Sequence, residues 1–172
     1  MKSDPTILVA SGLTWAGFGV RSIDSSTREI IQRATSELHL LVYSASLAGI
    51  PILDLLEPRI QVGIRLTMVV NRASEAHERM VVERLHKLAS KFSHAHIFSF
   101  EPKSTLRNLH AKAIIADREV GIIGSANLSR RGLLENYELG VQVSGKIARD
   151  TSVLVDRLAG NPESVPIGAL DE

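Results

Sequence analysis

Apolar and polar positions along this chain repeat with two different periods, and the way those periods alternate predicts its elements. Ile7 to Val20 opens apolar and is punctuated by Gly12, Gly17 and Gly19, which predicts a short strand followed by a glycine-rich turn. Asp24 to about Leu38 has helical period, with Ile30, Ile31 and Ala34 on one side and Ser26 and Glu29 at the spacing of a capping box. His39 to Ser44 predicts a buried strand. Pro51 suits the first turn of a second helix, with Leu53, Leu56 and Ile60 inward, Gly63 as a stop and Pro58 as a reason to end early. Arg65 to Val70 predicts a strand, Glu75 to Phe92 a helix with Val81, Leu85, Leu88 and Phe92 inward, and Ala95 to Phe100 another strand. Ile147 to Leu158 closes the series as a helix. Strands alternating with helices imply a layered α/β fold. No internal repeat or low-complexity segment interrupts it.

Between those last two elements the strand period carries unusual chemistry. Leu109, Ala111, Ala113 and Ile115 alternate with His110, Lys112 and Ile114. Residues two apart on a strand share a face, so His110 and Lys112 point the same way. Glu119 to Gly124 reads as a second short strand with Ser125 and Asn127 at its end, and Tyr137 to Val143 as a third with Asn136 and Glu138 on one face. Three adjacent strands would bring His110, Lys112, Ser125, Asn127 and Glu138 into one pocket. The small residues Gly124 and Ala126 would let a phosphate approach the backbone.

Each residue type suits the breaking of a phosphodiester bond without a metal. A neutral imidazole at His110 can attack phosphorus and form a phosphohistidine, dividing one difficult displacement into two. Lys112, Asn127 and Ser125 can hold the non-bridging oxygens through the transition state. Glu138 is the candidate to accept a hydrogen bond from the far ring nitrogen of His110 and fix its tautomer. Asp117, seven residues past His110 and near a strand end, reads as a structural or supporting member of the catalytic group. The leaving alkoxide also needs a general acid, and the chain carries one copy of the string. A two-fold homodimer, with one His110 attacking and the other protonating across the axis, would supply it.

The string His110-x-Lys112, Asp117, Gly124-Ser125-x-Asn127, with Glu138 downstream, resembles the phospholipase D superfamily. The lead-in from Ile23 to Asn71 is similar to that of short bacterial nucleases with a single motif. The resemblance implies an α/β fold whose mixed β-sheet carries helices on both faces, a phosphohistidine intermediate and metal-independent hydrolysis. The run from Leu13 to Ala45 and the stretch from Asn127 to Val141 also resemble the phospholipase D-like subunit of bacterial phage-defence systems of the DISARM type. That likeness implies a role in antiviral defence and a larger defence complex.

Composition narrows the picture. A chain of 172 residues suits one domain with a sizeable core; residues 1–159 are expected to form it and 160–172, acidic and proline-containing, to be a loose tail. The absence of cysteine excludes disulfides and thiolate chemistry and is compatible with a cytoplasmic setting. Net charge is only +1, yet Lys103, Arg107, Lys112, Arg118, Arg130 and Arg131 outnumber the acids of residues 101–131. Lys103 and Arg107 lie in a segment that reads as a loop at the pocket mouth, and Arg130 and Arg131 follow the motif directly. These four are candidate substrate contacts; the plain alternative is a solvated surface. No segment is long and apolar enough to span a bilayer, and no membrane partner or cofactor is expected. His94 and His96 lack a third metal ligand, and His39, His77 and His86 read as structural.

The leading reading is a phosphodiesterase acting on nucleic acid, with DNA favoured because basic segments suit a polyanionic backbone. A chain with one Trp, two Tyr and four Phe and no basic amphipathic helix is poorly equipped to dock on a bilayer. Two alternatives stay open: a lipid phosphodiesterase or phosphatidyl transferase, and a nucleic-acid-binding module without turnover.

Overall fold

The alternating periods fold into one mixed sheet with helices against both faces. The computed structural model describes residues 6–15, 19–44, 50–73 and 79–168. Its strands are β1 (Ile7–Ser11), β2 (Arg21–Ser22), β3 (Glu37–Val42), β4 (Arg65–Asn71), β5 (Ala95–Phe100), β6 (Lys112–Ala116), β7 (Val120–Gly124), β8 (Glu138–Ser144) and β9 (Ser164–Pro166). The helices are α1 (Ile23–Arg33), α2 (Ile50–Gln61), α3 (Arg79–Lys91) and α4 (Gly145–Ala159). Across the sheet the order is β2-β1-β8-β7-β6-β3-β4-β5-β9. Strands β3, β4 and β5 run parallel, while β6, β7, β8 and β1 are joined antiparallel.

Strand alternation decides what each face buries. Leu38, Leu40, Leu66, Met68 and Ile97 turn to one side and join Ile30, Ile31, Leu53, Leu56, Ile60, Val81, Leu85 and Leu88 of α1, α2 and α3 in the main core. On the other side α4 packs Val155 against Val69, Phe100 and Leu109, and Ala148 against Ile115 and Val143. Among the described residues no helix is long and apolar enough to cross a membrane.

Three expectations are corrected. Helix α1 starts at Ile23 with Ser22 as its N-cap, whose Oγ accepts from the Ser25 amide at 3.4 Å. Ser26 is therefore 1% exposed inside the helix, and Glu29 pairs with Arg21 and Arg33 instead of closing a capping box. Helix α2 runs through Pro58. One lost backbone bond is offset there by full burial of Leu56 and Ile60 on either side. The segment after Gly160 is packed as far as it is described: β9 pairs with the edge of β5, and Ile167 is 8% exposed in the main core. His77 and the first residues of the expected third helix lie outside the described residues; α3 itself buries Val81, Leu85 and Leu88.

Candidate active site

Strand β6 begins at Lys112, so His110 precedes it rather than lying within it. Its backbone is nevertheless anchored. The Leu109 amide donates to Asn71 Oδ1 at 2.9 Å, and the Leu109 side chain is buried with Val69, Phe100 and Val155. Lys112 Nζ donates to the His110 carbonyl at 2.8 Å and lies 3.1 Å from its Nδ1 and 3.4 Å from its Nε2. Tyr43, just beyond β3, packs its ring 4.4 Å from the imidazole, tilted by 51°. The same ring lies 4.7 Å beneath Lys112 Nζ. Partial burial pulls the Lys112 ammonium below the usual lysine range, and the Glu138 carboxylate opposes that shift.

The antiparallel register carries the remaining polar groups to the same end of the sheet. Lys112 is paired with Gly124, and Gly124 with Gly140. His110, Lys112, Ser125, Asn127 and Glu138 consequently line one open groove, which is the pocket expected from the sequence. Gly124 has a different reason from the one expected: a Cβ there would come 2.7 Å from the Leu139 carbonyl, so strand packing rather than phosphate approach demands glycine. Asn127 Oδ1 is buried without a hydrogen-bond partner among the described residues, an unfavourable arrangement of the kind retained at working sites.

Glu138 does not meet His110 in the manner expected. It accepts from the Ser125 hydroxyl and, at 3.0 Å, from Asn136 Nδ2. Those two donors stand nearer along β7 and β8 and occupy both carboxylate oxygens. The imidazole faces Tyr43 and Lys112 instead.

Asp117 lies at the opposite end of β6. It and Arg118 both have φ of +55°, and the Glu119 amide closes on the Ala116 carbonyl at 2.9 Å, a tight turn of the type that suits a hairpin. Burial disfavours the Asp117 carboxylate, but the amides of Glu37, Thr35 and Ser36 and the Ser36 hydroxyl together outweigh it and hold the group at about 2. Beside it Arg118 bridges Glu37 at 2.7 Å and Asp156 at 2.7 Å, and Asp156 meets the buried His39 at 3.1 Å. Asp117 pins the β6–β7 turn to the start of β3, which is structural work.

The basic candidates divide. Arg107 is paired with Glu163 at 2.8 Å and Arg130 with Glu135 at 2.8 Å. Lys103 and Arg131 are exposed. The Lys103–Arg107 loop is tied down by Arg72, which donates to the carbonyls of Pro102 and Ser104 at 3.1 Å each.

Residues 27–158 match the family described as "Cardiolipin synthase, PLD-like domain". The chain belongs to this phospholipase D-like family. Every member of the histidine–lysine–asparagine string falls within the matched span. The phospholipase D-like chain is 27% identical over 135 residues to the DISARM protein DrmC of Bacillus paralicheniformis, which takes in 78% of this chain and 55% of that protein. It thus spans about half the length of that curated relative. Its fold is similar to that of Nuc from Salmonella typhimurium, a phospholipase D family member, with TM-score 0.72, 15% identity, and 95% of this chain and 98% of that one covered. NucT from Helicobacter pylori gives TM-score 0.73 at 14% identity over 94% and 99% of the two chains.

Sequence reasoning missed two residues of this phospholipase D-like site, Tyr43 and Asn71. Both stand at the ends of parallel strands far upstream. The signal for them was available only in retrospect: a polar or aromatic residue at the end of an otherwise buried strand, or just past it.

Proposed function

We propose that this chain is a metal-independent phosphodiesterase that hydrolyses nucleic acid, with DNA the favoured polymer, through a phosphohistidine at His110. The observation that carries this reading is the convergence of His110, Lys112, Ser125, Asn127 and Glu138 on one open groove. A ring nitrogen of His110 attacks phosphorus, the P–N bond forms, and the P–O bond to the leaving group breaks. Lys112 and Asn127 hold the non-bridging oxygens as their charge redistributes. Water then attacks the phosphohistidine, the P–N bond breaks, and the imidazole is regenerated. An ammonium against the imidazole is poor company for a metal cation, which supports a metal-free route.

The proton for the leaving alkoxide is assigned to the His110 of a second copy, which later takes a proton from the attacking water. Supporting this homodimer, the sheet face beside the groove is left apolar where α4 does not reach: Leu8 is 52% and Leu139 49% exposed, and both line the groove. An isologous pairing through this strip would bring two grooves together around the axis. The variant Leu8→Glu/Leu139→Glu is expected to sediment as a folded monomer without turnover; a fully active monomer would contradict the shared site.

The names of the relatives support nucleic acid as substrate and defence against foreign DNA, within a larger complex, as the setting. A second reading has its own observation. Leu13 is 87% and Leu106 93% exposed, and the family's description names a lipid synthase, so a phospholipid substrate is the competitor. Incubation with single-stranded and duplex DNA, RNA and phospholipid vesicles in EDTA separates them. Release of oligonucleotides that His110→Ala abolishes is the expected result. Headgroup release without strand cleavage would select the lipid reading, and activity restored only by Mg²⁺ would remove the metal-free route.

A further inference from the structure

Beside the groove stands an aromatic pair that the chemistry above does not use. Tyr137 immediately precedes Glu138, and its ring rests on the backbone of Gly12, where φ is +106° and a Cβ would come 2.7 Å from Tyr137 Cδ1. Trp15 meets the same ring edge-on, centroids 5.1 Å apart and planes at 83°. The Thr14 hydroxyl hydrogen-bonds the phenol oxygen. The ring is thus held by Gly12, Trp15 and Thr14. Even so, Tyr137 remains 57% exposed. Holding an aromatic rigid while leaving it open to water forgoes its burial, and such preorganised surfaces belong to recognition.

Its position says what it recognises. Asn136 and Glu138, the residues on either side, hydrogen-bond each other at 3.0 Å, and Glu138 accepts from Ser125 inside the groove. Residues two apart in an extended segment share a face, and Leu139, two residues past Tyr137, lines the groove, so the ring stands at the rim of that groove. Lys112 supplies a cation within that groove. An exposed aromatic ring at the rim of a groove that holds a cation matches a nucleotide whose base is free to stack. Duplex bases are already stacked on one another and present only their edges.

We propose that Tyr137, braced by Trp15, is a stacking platform for an unpaired base next to the bond being cut, which makes single-stranded nucleic acid the substrate class. This rests on the phosphodiesterase reading above. The platform reads no base edge, so it carries little sequence preference.

Trp15 is the chain's single tryptophan, so its fluorescence reports on the site directly. The full-length His110→Ala protein, which binds without turnover, is titrated with a single-stranded thymidine oligomer, an abasic oligomer of equal length, and a blunt duplex. The expected result is quenching by the thymidine strand and little by the other two. Tyr137→Ala should weaken single-strand binding on the order of 10-fold, with Tyr137→Phe close to the parent. In the active chain, Tyr137→Ala should raise KM for single strands and leave duplex cleavage within about twofold. Equal binding and quenching by the abasic strand would overturn the platform, as would equal losses on single-stranded and duplex substrates. Dissociation of a dimer by Tyr137→Ala in sedimentation would give the ring to a second copy instead. Vesicle binding that depends on Tyr137 would give it to a bilayer. Absence of strand cleavage by the parent protein is a separate outcome: it removes the phosphodiesterase reading, while the quenching titration still decides the stacking site.

Discussion

Strand β6 carries Lys112 at one end and Asp117 just past the other, and the two ends differ in how their polar groups are satisfied. At the Asp117 end the charges of Asp117 and Arg118 are both engaged: the carboxylate takes the amides of Thr35, Ser36 and Glu37 and two hydroxyls, and Arg118 joins Glu37 and Asp156. At the Lys112 end the polar side chains face an open groove, Asn127 Oδ1 has no hydrogen-bond partner among the described residues, and the imidazole is exposed against Tyr43. Five residue steps along the strand separate Lys112 from Asp117, roughly 17 Å. One contiguous motif therefore holds two kinds of residue. Its histidine, lysine and asparagine line an open groove, and its aspartate anchors the hairpin that carries them.

The contrast breaks if the two ends respond alike to substitution. His110→Ala should lower kcat by ~10⁴-fold or more while the unfolding temperature stays within about 2 °C, as steady-state cleavage and calorimetry would show. An equal loss of both would mean that the imidazole is structural. Tyr43→Leu should lower kcat on the order of 10-fold, through a loosened imidazole and ammonium, with KM little changed and Tyr43→Phe near normal. If Tyr43→Phe matches Tyr43→Leu, the hydroxyl rather than the ring face is at work.

Asp117→Ala should do the reverse. Leaving the amides at the start of β3 without their acceptor is expected to cost ~2–3 kcal/mol and lower the unfolding temperature by about 5–10 °C. The folded fraction should keep kcat within about twofold, and a large loss of kcat at full folding would return Asp117 to the chemistry. The smallest effect is a titration. Asp117 is held at about 2 against an ordinary 3.8; a depressed carboxylate stabilises the fold above the unfolded value, and that contribution is lost as pH falls through the folded one. Parent and Asp117→Asn proteins should therefore converge by about 1–2 kcal/mol between pH 5 and 2 in denaturant melts, whereas parallel curves would contradict the assignment.

Legibility in the sequence followed locality. Lys112, Ser125 and Asn127 were readable because hairpin-connected strands turn sequence neighbours into spatial ones, and the register Lys112–Gly124–Gly140 does the rest. The layered α/β fold was readable from alternating periods, whereas the mixed sheet with helices on both faces followed from the resemblance to the phospholipase D superfamily. Tyr43 and Asn71 were not, since β3 and β4 reach the site only through the order of strands, which no local pattern encodes. The partner of Glu138 was misjudged because Ser125 and Asn136 compete for the same two oxygens. Strand β9 read as a tail because a short segment with prolines has no period of its own; what orders it is the open edge of β5.

The central claim is that His110 becomes covalently attached to phosphorus. Cleavage of a DNA strand bearing one phosphorothioate linkage of known configuration, run in ¹⁸O-labelled water with EDTA, reads this from the stereochemistry of the product. Two successive in-line displacements predict overall retention at phosphorus. Inversion would mean that water attacks the phosphodiester directly, with His110 as a base, and would contradict the account.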